Sequence, residues 1–137
     1  MIDEVLTDSE MCTLQNACDT FLSAHRSEGF GLNIAECMRL GKLAIATGYS
    51  GNTDFMTGSN SVLLPYDMVP VRPDEYVHGE GQEWADPKHD AVVDALRWSI
   101  DEFERTSTLR NQARRDITAR FAPDVIGRRM IEALDEH

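Results

Sequence analysis

Ser27-Glu28-Gly29-Phe30-Gly31-Leu32-Asn33-Ile34-Ala35-Glu36 decides how this chain folds. A carboxylate stands just before a glycine-punctuated turn, and a second follows inside the helix that the turn opens. Upstream, Thr20-Phe21-Leu22-Ser23-Ala24 reads as a buried strand. Downstream, Ile34, Ala35, Cys37, Met38 and Leu40 have helical spacing and stop at Gly41. Strand, glycine turn and helix start together make the place where an α/β protein holds a phosphate. The first-turn N–H groups have no acceptor within the helix, and the helix dipole favours an anion there. The two acids would repel a phosphate. They suit neutral hydroxyls, such as those of a sugar or a ribose, because an ionised carboxylate only accepts hydrogen bonds.

Outward from this stretch the pattern alternates. Thr7 to Asn16 reads as a helix, with Thr7 and Glu10 spaced as a capping box and Met11, Leu14 and Cys18 on one side. Leu43–Ala46 is a short apolar run without alternation, which suits a parallel strand covered on both faces. Thr47 to Asn52 reads as a turn, Thr53–Met56 as a short helix and Ser61–Leu64 as a third strand. Alternating strands and helices predict an α/β fold with a parallel sheet. Over residues 65–86, Pro65, Pro70, Pro73, Gly79 and Gly81 predict an ordered loop insertion without regular elements. Beyond Pro87 the chain reads as a helical segment. Val92, Leu96, Ile100 and Phe103 form one stripe, Ser107–Arg120 a second helix, and Ile126, Met130 and Leu134 the face of a third that opens at Pro123. Three strands make a thin sheet beside the five or six usual in a doubly wound nucleotide-binding domain. The expectation is therefore one incomplete domain over residues 1–137.

Composition narrows the function classes. Net charge is −11, and residues 1–96 carry all of the excess, so the surface repels nucleic acid and anionic lipid. No apolar run is long enough for a membrane span, and the first residues lack the basic start and apolar core of a signal peptide. Cys12, Cys18 and Cys37 lack metal-ligand spacing and read as reduced, buried residues of a cytoplasmic protein. No metal site and no cofactor are expected.

The run from Ser23 to Leu32, continuing through Glu36, Gly41-Lys42, Ile45-Ala46-Thr47 and Ser50-Gly51-Asn52, resembles the donor-binding half of retaining glycosyltransferases of the GT-B fold. More narrowly it is similar to the "glycosyl transferases group 1" type with its Glu-x7-Glu motif, here Glu28 and Glu36. Tyr76, Gly79-Glu80-Gly81-Gln82 and Trp84-Ala85-Asp86-Pro87 resemble bacterial members of that group. The resemblance implies a Rossmann-like half of a GT-B fold. It also implies transfer of a hexosyl group from a nucleotide diphosphate sugar, with retention, to a glycan, lipid or protein.

By the same resemblance Glu28 is the catalytic acid beside the transferred sugar. Gly29, Phe30, Gly31, Leu32 and Asn33 line sugar and diphosphate, and Glu36 accepts from the ribose. An acceptor domain, a partner subunit or a second copy would complete the enzyme. Family members supply an Arg and a Lys for the diphosphate ahead of this region, whereas residues 1–19 contain neither; Arg26 and Lys42 are the nearest cations.

Plainer readings stand beside these. With Asn33 as N-cap, Glu36 would close a capping box instead. Glu28 would be a solvated turn acid, Phe30 a core residue, and His25 a hydrogen-bonded strand-end residue rather than a base. His78 and His89 lack metal partners in the sequence. Tyr76 and Trp84 suit either stacking on a sugar or packing on their own domain. Ser23, Ser27 and Ser50 have no triad partners, and no Gly-x-Gly-x-x-Gly or Walker pattern is present. The rival to the enzyme is a non-catalytic remnant that keeps the half-fold as an interaction module.

Overall fold

The computed structural model describes residue 3 and residues 5–135. Strands β1 (Thr20–Ser23), β2 (Leu43–Thr47) and β3 (Val62–Leu64) form a parallel sheet in the order β1-β2-β3. Thr20 lies opposite Leu43 and Ile45 opposite Val62, so β2 is central. All five residues of β2 are buried, as a strand covered on both faces requires.

The alternation along β2 divides the core. Ala44 and Ala46 face helix α2 (Leu32–Arg39), through Ile34, Ala35 and Met38, and helix α4 (Ser107–Phe121), through Ala113 and Ile117. The small alanines let both helices approach the sheet closely. Leu43 and Ile45 face the other way, onto Leu64 and onto Val92 and Ala95 of helix α3 (His89–Asp101). Phe55 and Met56, just past a 3-10 turn at Gly51–Asp54, close the first cluster. The short helix expected near Thr53–Met56 is this 3-10 turn, which begins two residues earlier and ends at Asp54.

Residues 65–86 are not free of regular structure. Strands β4 (Tyr66–Pro70) and β5 (Glu83–Pro87) pair antiparallel, with Tyr66 opposite Pro87 and Pro70 opposite Glu83. Pro70 and Pro87 stand at opposite ends of the ribbon, where a missing N–H is tolerated. The Ala85 N–H donates to the Arg26 carbonyl beyond β1 (3.0 Å), and the Lys88 N–H donates to the Pro65 carbonyl (3.0 Å) at the ribbon's end.

Three further expectations change. Helix α1 (Asp8–Ala17) has the Thr7–Glu10 capping box, yet Met11 and Leu14 are each 37% exposed and Gln15 is the residue it buries. Ile100 of the α3 stripe is exposed. Helix α5 (Pro123–Asp135) leaves Met130 and Leu134 exposed, and no residue of α5 is buried. No described helix is long and apolar enough to cross a membrane.

Candidate functional site

The loops after β1, β2 and β3 all emerge at the carboxyl ends of the strands, where open α/β sheets bind ligands. The Glu28 loop and the Tyr49–Asn52 turn lie against each other there. Ser50 Oγ donates to the Glu28 carbonyl (2.6 Å) and accepts from the Glu28 N–H (3.3 Å), and the Gly51 N–H donates to the same carbonyl (3.0 Å). Ser50 holds φ at +77°, a conformation that costs a non-glycine residue about 1–3 kcal/mol. A Cβ on Gly51 would lie 1.9 Å from the Gly29 carbonyl oxygen. Gly51 is therefore a condition of the contact that fixes the backbone at Glu28.

Gly31 is the N-cap of α2, with φ at +91°, and offers no side-chain cap. The first N–H to find an acceptor in the helix is that of Ala35, on the Gly31 carbonyl (2.9 Å). The N–H groups ahead of it are those a helix cannot satisfy from within. Asn33 lies two residues past the N-cap Gly31, so the capping-box reading of Glu36 is set aside. Phe30 is 39% exposed and stands at the mouth of this turn, its ring 5.1 Å from Phe55 and 5.4 Å from Phe121. It covers the end of the core while keeping one side open. Leu32 and Asn33 are exposed, and Gly29 is open enough that a Cβ there would meet nothing.

The two glutamates line different clefts. Glu28 lines an open cleft of about 520 Å³ with Ser27, Gly29 and residues of the ribbon and its loop. Its carboxylate accepts no hydrogen bond from a described residue. Glu36 lines a second cleft of about 640 Å³ with Leu32, Asn33, Gln15, Arg39 and Arg114. Gln15 Nε2 donates to Glu36 Oε2 (2.9 Å), which leaves Oε1 unengaged among the described residues. Leu32 and Asn33 of the first turn of α2 border the second cleft, while the first is lined by Ser27, Glu28 and Gly29 just ahead of that turn.

The cations are not where the sequence suggests. Arg26 is held by Glu75 and Asp86, each at 3.4 Å, and lies 4.7 Å above the Trp84 ring. Lys42 Nζ donates to the Asn16 carbonyl (2.8 Å). Arg39 and Arg114 instead line the Glu36 cleft, and neither forms an ion pair with a described carboxylate. Arg114 is brought by the packing of α4 on α2, a contact that no local pattern announces. Gln15 was likewise missed, since a lone Gln among exposed α1 residues carries no signal.

His25 sits at the end of β1 as a structural residue. Its Nε2–H donates to the Tyr49 carbonyl (3.1 Å), so the neutral ring accepts the Ser23 hydroxyl at Nδ1 (3.1 Å). Cys37 is buried, and burial, with the neighbouring Glu36 charge, pushes its thiol from 9.0 up to about 11. Cys12 and Cys18 are exposed, contrary to the expectation of burial, because α1 presents that side to solvent. Among the described residues no group of three or more His, Cys, Asp and Glu is placed to hold a metal ion.

No protein-family model matches this chain, and no curated protein does. Solved structures do match. One is Anabaena HepE in complex with UDP and glucose, similar over 93% of this chain with a TM-score of 0.70 and 20% identity. At that identity the likeness establishes the fold alone: an α/β arrangement on a parallel three-stranded sheet. This chain spans 30% of the length of that one.

Proposed function

We propose that this chain is the donor-binding part of a glycosyltransferase that moves a hexosyl group from a nucleotide diphosphate sugar, with retention. One observation carries the reading. The unsatisfied first turn of α2 directly follows the Glu28 loop at one cleft and borders the Glu36 cleft with Leu32 and Asn33, and each cleft has a carboxylate with oxygen to spare. The ribose sits in the Glu36 cleft, where Oε1 accepts its hydroxyls while Gln15 holds Oε2. The diphosphate rests on the N–H groups of the Gly31–Asn33 turn, and the hexose extends toward Glu28. As the bond to the sugar breaks, negative charge grows on the departing diphosphate, and the oriented N–H groups stabilise it. Glu28 holds hydroxyls beside the reacting carbon. The likeness to a structure that contains UDP and glucose supports this choice of ligand.

The Arg and Lys that the resemblance places ahead of this region for the diphosphate have no counterpart in residues 1–19, and Arg26 and Lys42 are engaged elsewhere, while Arg39 and Arg114 line the Glu36 cleft. Each missing charge-assisted contact is worth roughly 1.5–3 kcal/mol. By itself the chain therefore binds such donors weakly and transfers little, and further protein supplies the acceptor side. The same engaged cations are the one observation that favours the second reading, an interaction module that keeps the half-fold without catalysis. Saturation-transfer NMR with UDP- and GDP-sugars separates the two. Transfer to ribose protons that disappears in Glu36→Ala supports the donor site; no transfer at any donor concentration supports the module. Isothermal titration that shows micromolar affinity for the chain alone would contradict the missing-cation argument.

A further inference from the structure

The Glu28 cleft has a second wall that the donor reading leaves unused. It is built by the ribbon and the loop between its strands, residues 71–82. This loop is a folded element. The Val71 N–H donates to the Gln82 carbonyl (2.9 Å), the Gly79 N–H to Tyr76 (3.2 Å) and the Gln82 N–H to Gly79 (3.0 Å). A Cβ on Gly79 would lie 2.5 Å from Val71 Cγ1, so the loop closes tightly over Val71. His78, which lines the cleft, is held at φ +59°, an unfavourable conformation for a non-glycine residue and one that concentrates at functional sites. Tyr76 stands 68% exposed at the rim of the same cleft.

The electrostatics restrict the ligand. Arg26, the cleft's arginine, is neutralised by Glu75 and Asp86 and stacked on Trp84. Glu28 and Glu83 then leave the lining acidic. An anionic ligand is disfavoured on both counts. A neutral polyhydroxyl is favoured, because carboxylates and the Gln82 amide accept or share its hydrogen bonds, and an exposed phenol ring offers a flat apolar face. The diphosphate end of a donor belongs at the α2 turn and not here.

We propose that the cleft between the Glu28 loop and the β4–β5 ribbon is a second saccharide subsite that takes a neutral glycan. Tyr76 forms its platform, and Glu83 and Gln82 hold its hydroxyls. Binding here stands on the cleft alone. That the glycan is the acceptor of a transfer rests on the function proposed above.

The test is saturation-transfer NMR on the full chain with methyl α-D-glucopyranoside, methyl α-D-mannopyranoside and cellobiose. Glucose 6-phosphate is the anionic comparison and UDP the donor-side control. The subsite requires transfer to at least one neutral probe and less to glucose 6-phosphate. Tyr76→Ala, at an exposed position, is expected to weaken the neutral probe about tenfold, which is the scale of one lost aromatic contact. Glu83→Gln is expected to weaken it as well, with UDP contact unchanged in both variants. No transfer to any neutral probe, equal transfer to glucose 6-phosphate, or indifference to Tyr76→Ala overturns the proposal. Loss of UDP contact with the neutral probe retained overturns the donor reading and leaves this subsite standing.

Discussion

Gly51 and Gly29 both belong to glycine turns at the same site, and the structure separates them sharply. A Cβ on Gly51 meets backbone: the Gly29 oxygen at 1.9 Å, the Gly29 carbonyl carbon at 2.6 Å and the Glu28 oxygen at 3.1 Å. None of these atoms can swing away as a side-chain end would. In Gly51→Ala the Glu28 loop must therefore part from the Ser50 turn. That costs the Gly51 N–H and Ser50 hydroxyl bonds to the Glu28 carbonyl, each about 0.5–1.5 kcal/mol net. Overpacking adds about 1–3 kcal/mol, so the expected destabilisation is about 2–6 kcal/mol. Gly29→Ala meets nothing within 4 Å and is expected to change stability by less than about 1 kcal/mol. Urea unfolding followed by tryptophan fluorescence measures both variants. A cost below 1 kcal/mol for Gly51→Ala, or an equal cost for Gly29→Ala, would refute the claim that the Ser50–Gly51 turn fixes the Glu28 loop.

Cys12 and Cys18 should react with a thiol reagent near neutral pH, whereas Cys37 should react only on unfolding; mass mapping of the labelled peptides checks this. The Cys37 thiol is raised in the folded state, so the native protein holds that proton more tightly than the unfolded chain. Its contribution to stability is complete below pH 9.0 and is lost as pH rises toward about 11. The slope is at most about 1.4 kcal/mol per pH unit; Cys37→Ala should remove that dependence in urea titrations run across the window. Trp84 buries an indole N–H without an acceptor, so Trp84→Phe removes an unsatisfied donor while keeping an aromatic wall under Arg26. It is expected to change stability by less than about 1 kcal/mol, and a larger loss in denaturant titration would show that the N–H is paired in solution. Asn60 is buried and bonds the Phe55 carbonyl, the Thr57 N–H and Asp116 (3.0, 2.7 and 2.8 Å). Asn60→Ala should cost about 2–4 kcal/mol by the same titration, since it removes three hydrogen bonds and strands the carbonyl of buried Phe55; a loss under 1 kcal/mol would show the partners resatisfied by water.

The parts of the fold that were legible are those written locally. The strand Thr20–Ser23, the helix Leu32–Arg39 and the apolar strand Leu43–Thr47 each carry their period and their stop signals within a few residues. The β4–β5 ribbon was hidden because its pairing joins Tyr66 to Pro87 across a loop, and proline and glycine signals in that loop spoke only of breaks. Helix amphipathicity was read correctly as a pattern in α1 and α5, but a pattern does not say what covers it; Met11, Leu14, Met130 and Leu134 remain exposed. At the site, Glu28 and Glu36 stood out through the glycines around them. That they line separate clefts was not legible, because one cleft is completed by the distant ribbon and its loop and the other by α1 and Arg114 of α4. Arg114 and Gln15 reach the Glu36 cleft only through tertiary packing, and exposed arginines and glutamines look alike in a sequence.

The central claim is that a nucleotide sugar lies across the first turn of α2, with its ribose at Glu36. Titration of the ¹⁵N-labelled chain with UDP-glucose tests it most directly. The amides of Gly31, Leu32 and Asn33 should shift together with the Gln15 side-chain amide, and Glu36→Gln should weaken the whole set at least about tenfold, the scale of a lost hydrogen bond to a charged group. Amides that stay still at millimolar UDP-glucose, or shifts that survive Glu36→Gln unchanged, would contradict it.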